Sequence, residues 1–183
     1  MRRREVVQFL GAALALSFVP RDAEAAIKFG EELHLRLGDR AFRTLNRDQR
    51  ALVTKIAEMI IPETETIGAT RAKVPEFIDL IATDWMSDDE RAVFLAGLAD
   101  IDTRSAAMGA SRFMDLPEAK KVELATTLDQ ARRDTTGAGY AFARLKALTV
   151  YGYFTSRPVE EDILKVQMFF NGYQGNVPFT PAV

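Results

Sequence analysis

The stretch that decides the fold runs from Asn46 to Pro62 and reads N-R-D-Q-R-A-L-V-T-K-I-A-E-M-I-I-P. Asn46 is a helix-capping residue, and Gln49 follows it at the spacing of a capping box. Apolar side chains then recur at the spacing of one helical face, at Leu52, Ile56, Met59 and Ile60. Because the residue before a proline avoids helical geometry, the helix must end before Pro62. The stretch therefore predicts an amphipathic helix with a defined start and a defined end.

Two further helices are predicted downstream. One opens at Val74-Pro75, where a proline in the first turn costs no hydrogen bond, and it places Phe77, Ile81 and Trp85 on one stripe. The next begins at the capping box that runs from Ser87 to Glu90 and continues to about Met108.

Two more helices complete the pattern. The first begins at Leu116-Pro117-Glu118, with Asp115 as its expected cap. We expect Lys120 and Lys121 of this helix to point outward, and three apolar residues to face inward, at Val122, Ala125 and Leu128. The second runs from Tyr140 to about Tyr151 and is apolar on most sides. Residues 45–183 are thus predicted to form one all-α domain, an orthogonal or irregular helical bundle with an irregular, aromatic-rich C-terminal tail.

The last thirty residues combine aromatic side chains with glycines and prolines, so a regular helix cannot extend far into them. These aromatics either fold back on the core or contact another protein, and composition alone leaves both outcomes open. Aromatic residues are enriched at the centres of protein interfaces. We predict a partner interface at Tyr151, Tyr153, Phe154, Phe169, Phe170, Tyr173 and Phe179.

Residues 1–25 have the three parts of an export signal. Arg2, Arg3 and Arg4 form a positive start, an apolar region follows from Val6 to Val19, and Ala23-Glu24-Ala25 is an A-x-A cleavage site. The apolar region is shorter than the roughly 20 residues that span a bilayer, which predicts a removable leader and not an anchor. Arg3 and Arg4 favour a twin-arginine signal, which exports folded proteins, over an ordinary secretory signal. We therefore expect a periplasmic protein that contacts the twin-arginine machinery.

Composition excludes several functions. The chain of 183 residues has no cysteine and one histidine, so disulfides, thiolate metal sites, iron–sulfur clusters and c-type haem attachment are excluded by count. The net charge is −2 and no basic stripe is present, which argues against nucleic-acid binding. His34 lies in a weakly patterned segment, residues 26–44, that is interpreted as a connector. We expect its side chain to face solvent and assign it no role.

Acidic residues offer an alternative function. Glu63 and Glu65 lie in a polar loop and could serve as a Ca²⁺ or acid/base pair, but they lack the alternating ligands of a calcium loop. In a free-standing periplasmic enzyme, Glu63, Glu65 or Asp84 could serve in carbohydrate cleavage. In a sugar-binding protein, the stacking surfaces could be Trp85, Tyr151 and Tyr153. Without a glycine-rich dinucleotide motif or a spaced nucleophile–base pair, we predict no catalytic, cofactor-binding or metal-binding residue in this chain.

Four motifs carry a family resemblance. They read L-x(6)-L-V-x(2)-I-A-E-M-I-I-P from Leu45, V-P-E-F-I-D at Val74 to Asp79, G-L-x(2)-I-D at Gly97 to Asp102, and V-Y-G-Y-F-T-S at Val150 to Ser156. Together with the leader, their order resembles the gluconate 2-dehydrogenase subunit 3 family.

The resemblance implies a small, non-catalytic subunit of a membrane-associated bacterial dehydrogenase complex. It implies a large FAD-dependent partner of the glucose, methanol and choline oxidoreductase superfamily, often with a cytochrome c subunit that carries haem c. The small subunit would supply the export signal, aid maturation of the flavoprotein and cross the membrane with it in the folded state. The family names no catalytic residue that could be transferred to this chain.

Overall fold

In the computed structural model, the described residues are 16–38, 42–131 and 134–161. They form seven α-helices and one 3₁₀ turn, and no strand occurs within these ranges. The helices are α1 (Ala23–Leu37), α2 (Arg47–Ile60), α3 (Val74–Asp84), α4 (Asp88–Ala107), α5 (Glu118–Gln130), α6 (Gly137–Phe154) and the single turn α7 (Arg157–Val159), with the 3₁₀ turn Phe113–Asp115 between α4 and α5. The all-α fold predicted from the sequence is confirmed, whereas the tail lies outside the described residues.

Helix α6 is the centre of the bundle. Helix α4 packs along it most extensively, and α3, α5, α2 and α1 also contact it. Such a position requires apolar side chains all round the helix, and twelve residues of α6 are indeed buried. Close approach is helped by Gly152, because a Cβ atom at that position would lie 2.7 Å from the ring of Phe77 on α3.

The three best-patterned helices begin where the sequence predicts. Asn46 and Gln49 form a complete capping box at the start of α2, and Ser87 and Glu90 do the same for α4. Pro75 lies in the first turn of α3, which ends before Trp85. Local side chains thus satisfy backbone donors at the starts of α2 and α4, and Pro75 lacks the N–H that would need a partner at the start of α3. Short-range patterns were therefore sufficient to find these helix starts.

Helix α5 is rotated relative to the prediction. Lys121 is buried, while Val122, expected to face inward, is 56% exposed. Leu124 and Leu128 provide the apolar contacts, and the ammonium of Lys121 reaches Glu118 Oε1 at 3.0 Å. A lysine stem can cover apolar surface while its charge reaches a partner near solvent. The expected cap is also wrong, because Asp115 belongs to the 3₁₀ turn and pairs with Arg112.

The segment interpreted as a connector contains most of helix α1, which starts inside the predicted leader. Asp22 caps this 15-residue helix by accepting a hydrogen bond from the Ala25 amide. Ala25 is exposed in the first turn, and Arg3 and Arg4 lie outside the described residues. Leu16 and Val19, at the end of the apolar leader region, are buried in the main core.

Within the described ranges, no helix is both long enough and apolar enough to cross a bilayer.

Candidate functional site

An open groove of about 370 Å³ lies between α2, α5 and α6. Its lining is mainly apolar and consists of Ile56, Met59, Ile60, Val122, Ala125, Thr126, Asp129, Phe142 and Lys146. Ile56 and Phe142 are buried and form the floor, while the exposed Val122 stands at the edge. The rotation of α5 is what places Val122 at this surface. The groove therefore presents an apolar surface that suits apolar groups from outside the chain.

One ion pair borders the groove. Lys146 Nζ lies 2.7 Å from Asp129 Oδ1, and both side chains are partly exposed. The charges are already matched, so the groove presents apolar area with little unpaired charge. A sugar or polyol carries many hydroxyl groups that need polar partners when they are buried. The lining offers few such partners, and apolar side chains of another protein suit it better than a carbohydrate does.

Three of the predicted interface residues lie in the core. Tyr151, Tyr153 and Phe154 are at most 6% exposed. The Tyr151 hydroxyl donates to the Ala26 carbonyl at 2.6 Å, and that of Tyr153 donates to the Ile67 carbonyl at 2.8 Å. The prediction is corrected for these three residues, because their rings and hydroxyls are used within the chain. The other four, Phe169, Phe170, Tyr173 and Phe179, lie outside the described residues.

His34 is a second correction, since its ring packs inside the bundle. It stacks on Phe77 with 4.7 Å between ring centroids, and its Nε2–H donates to the Gly152 carbonyl at 2.7 Å. Burial lowers the pKa of His34 to about 4, although the Gly152 hydrogen bond opposes that shift. The imidazole is therefore neutral at physiological pH and fixes α1 against α3 and α6.

Two of the acidic residues of the alternative function, Glu63 and Asp84, form ion pairs within the chain. Glu63 pairs with Arg71 at 2.8 Å on an exposed loop, and Asp84 pairs with Arg43 at the same distance. The Trp85 ring is packed edge-on by Phe29, with ring centroids 4.8 Å apart. Across the described part of the chain, no cluster of three potential metal ligands occurs. Glu63, Asp84 and Trp85 thus each contact another side chain of this chain.

Asp79 organises the backbone before α2. Its buried carboxylate accepts hydrogen bonds from the amides of Arg43, Thr44 and Leu45, at 2.8, 3.0 and 2.7 Å. Such an arrangement holds a negative charge with backbone dipoles, as a helix N-terminus does. The last position of the V-P-E-F-I-D motif thus fixes the path of the chain between α1 and α2.

Glu58 plays a comparable part after α2. Its carboxylate accepts from the Thr70 amide and hydroxyl, at 3.0 and 2.7 Å, and from the Glu63 amide at 2.8 Å. Burial would raise the pKa of Glu58, but these hydrogen bonds and the charge of Lys55 lower it below its ordinary value. A carboxylate that stays ionised and fully bonded suits a loop anchor and not a proton donor.

The groove was missed from the sequence because its floor and edge come from three separate helices. Val122 was assigned to the core from its spacing with Ala125 and Leu128. Lys121 was the residue that argued against this assignment. The aliphatic part of a lysine side chain can cover apolar surface, so Lys121 can take the inward position that was assigned to Val122.

The comparison with protein families covers every described helix except α1. The family model for gluconate 2-dehydrogenase subunit 3 matches residues 47–172, which include α2 to α7 and all three walls of the groove. No curated protein and no solved structure matches the chain significantly. Two of the motifs quoted above contain residues with buried hydrogen bonds, the Asp79 carboxylate and the Tyr151 hydroxyl. The chain belongs to the gluconate 2-dehydrogenase subunit 3 family.

Proposed function

We propose that this chain is the non-catalytic small subunit of an exported FAD-dependent dehydrogenase complex. It supplies a twin-arginine signal, binds the large flavoprotein of the glucose, methanol and choline superfamily, and stabilises it during maturation and export to the periplasm. A cytochrome c subunit completes the complex in this proposal. The observation that carries the proposal is the family match across the six helices α2 to α7.

The groove supports a binding role for this subunit. Val122 is one of only a few large apolar side chains that the described residues leave exposed. An apolar partner side chain that enters the groove would gain about 1.5–3 kcal/mol from burial. We assign the groove as the binding site for the large subunit. The members of this family are subunits of a larger enzyme, and the groove lies within the residues that the family model matches.

The composition supports a non-catalytic role. The chain has no cysteine, and its one histidine is neutral and hydrogen-bonded to a backbone carbonyl. The carboxylates Glu58 and Asp79 are held by backbone amides. Redox chemistry therefore falls to the partner, which would bind FAD in the cytoplasm and cross the membrane in its folded state.

Co-expression tests the proposal. The full chain, with an affinity tag at its C-terminus, is expressed with a large flavoprotein of the glucose, methanol and choline superfamily from the same genome. The matched export variant is Arg3→Lys/Arg4→Lys. We expect a yellow complex in the periplasm that oxidises a sugar or polyol with an artificial acceptor, and an inactive, colourless small subunit when it is expressed alone.

Two outcomes would contradict the proposal. Dehydrogenase turnover by the isolated small subunit would show that it is an enzyme. Export of a flavin-loaded large subunit from cells that lack this chain would show that the large subunit does not need the small subunit for export. The double arginine variant should leave both subunits in the cytoplasm, because only the signal has been altered.

A further inference from the structure

The end of the predicted leader is built into the folded subunit. Leu16 and Val19 are 2% and 5% exposed and belong to the same apolar core as the helices. Between them, Phe18 lies over Arg144 of α6, with the guanidinium carbon 5.6 Å from the ring centroid, and 6.4 Å from the Trp85 ring. Phe18 therefore contacts both the end of α3 and the middle of α6.

The predicted cleavage bond, between Ala25 and Ala26, lies in the first turn of α1. The Ala25 amide donates to the Asp22 carboxylate at 2.9 Å, and the Ala26 amide donates to the Asp22 carbonyl at 2.8 Å. The Ala26 carbonyl accepts from Tyr151, and Ala26 itself is 2% exposed. All three of these backbone groups are occupied within the fold.

Helix α1 is held along its length and not only at its start. Gly30 faces Thr155 so closely that a Cβ atom at Gly30 would lie 2.5 Å from the threonine side chain. His34 is bonded to Gly152 one turn further on. Peptidases cut exposed, extended segments, and a bond inside a packed helix becomes accessible only when that part of the protein opens.

We propose that folding protects the Ala25–Ala26 bond, so that residues 16–25 remain in the mature subunit as part of its core. This inference rests on the proposed function, because a route that exports folded proteins presents the peptidase with the folded chain. An unfolded chain would be cut at the same bond. In this proposal the apolar end of the leader first serves in export and then, in the folded subunit, packs against Trp85 and Arg144.

The full chain, expressed with its partner, tests this by intact mass and by tryptic mapping of the periplasmic protein. Trypsin cuts after Arg21 and Lys28, so a peptide of residues 22–28 contains the bond intact. We expect the tryptic map of the periplasmic protein to contain that peptide, and its intact mass to show a chain that begins at or before residue 16. A chain that begins after residue 16, at Ala26 above all, overturns the proposal. A chain found only in the cytoplasm contradicts the proposed export instead.

A second arm works without export. Purified full chain is incubated with leader peptidase in detergent, beside the variant Gly30→Leu and the control Leu35→Asp, which alters an exposed side chain of α1. A side chain at position 30 clashes with Thr155 and separates α1 from the core, while residues 1–25, which the peptidase recognises, stay unchanged. We expect the Gly30 variant to be cut after Ala25 at least about tenfold faster than the wild type and the control. The prediction holds even if this variant unfolds, because protection of the bond is what it should lose. Equal rates, or no cleavage of the Gly30 variant, overturn the proposal.

Discussion

The hydroxyl of Tyr151 donates a 2.6 Å hydrogen bond to the backbone carbonyl of Ala26, which lies 125 residues earlier in the chain. The bond joins α6 to the first turn of α1 in a buried position. Burial raises the pKa of Tyr151, so the phenol keeps its proton and remains a donor at all physiological pH values.

We expect Tyr151→Phe to lower the free energy of unfolding by about 1–2 kcal/mol, because the Ala26 carbonyl stays buried without its donor. Urea unfolding, followed by circular dichroism, measures the loss. Tyr140→Phe on the same helix is the matched control, because Tyr140 is only partly buried. Equal stability of the Tyr151 variant and the wild type would show that the bond contributes nothing net.

Asp79 should be the most sensitive carboxylate of the bundle. Asp79→Asn removes the charge that three backbone amides bind and turns one acceptor into a donor, so we expect a loss of about 2–4 kcal/mol. Asp84→Asn, one turn later on α3, is the control. Its pair with Arg43 is exposed, and such pairs contribute less than about 1 kcal/mol. Similar losses in the two variants would contradict the buried-anchor role of Asp79.

Stability should fall as the pH rises from about 4 to about 8 because of Glu160. Burial, followed by the charges of Glu31 and Glu161, raises the pKa of Glu160 to about 8. A glutamate in the unfolded chain titrates near about 4.3. Between these two values the folded chain keeps a proton that the unfolded chain has lost, so the free energy of unfolding decreases as pH rises through this window.

Glu160→Gln should remove that decline, because an amide resembles the protonated carboxyl. We expect the variant and the wild type to agree near pH 4 and to diverge steadily up to pH 8, with the variant more stable. Chemical unfolding at a series of pH values measures the difference. Glu32→Gln, which alters an exposed side chain of α1, should follow the wild type throughout. A constant difference between the Glu160 variant and the wild type would rule out the titration.

The groove assignment predicts a loss of partner binding at unchanged stability. Val122→Asp places a charge at the apolar edge, and we expect recovery of the large subunit to fall at least about tenfold, which corresponds to about 1.4 kcal/mol. Because Val122 is 56% exposed, the isolated subunit should lose little stability. Leu35→Asp, at an 80% exposed position outside the groove, should bind normally. Normal retention by the Val122 variant would place the large subunit on another surface.

The sequence was most informative where structure is decided locally. Capping boxes at Asn46 and Ser87 and the proline at position 75 act within one helical turn, so the starts of α2, α3 and α4 could be predicted. The all-α class followed from the same patterns. None of these signals depends on which helices become neighbours in space.

The predictions of side-chain exposure were wrong where the burial of a residue depends on partners far away in the sequence. His34 carries no local sign of burial, and only Phe77 and Gly152, far along the chain, supply its stack and its hydrogen bond. Tyr151 and Tyr153 have the composition of an interface, yet carbonyls of other segments satisfy their hydroxyls. The prediction that Val122 faces inward was wrong for a related reason. Lys121 is buried in place of Val122, and its own sequence neighbourhood does not show that its side chain packs against the core.

The central position of α6 also has a consequence for biosynthesis. This helix, Gly137–Phe154, leaves the ribosome after all five of the helices that pack against it. Those earlier helices can form individually, but the apolar faces that they pack against α6 stay without this contact until α6 is synthesised. The core is therefore completed by contacts between residues far apart in the chain, which slows folding and postpones it to the end of translation. Residues 1–25, the predicted export signal, emerge long before that core is complete.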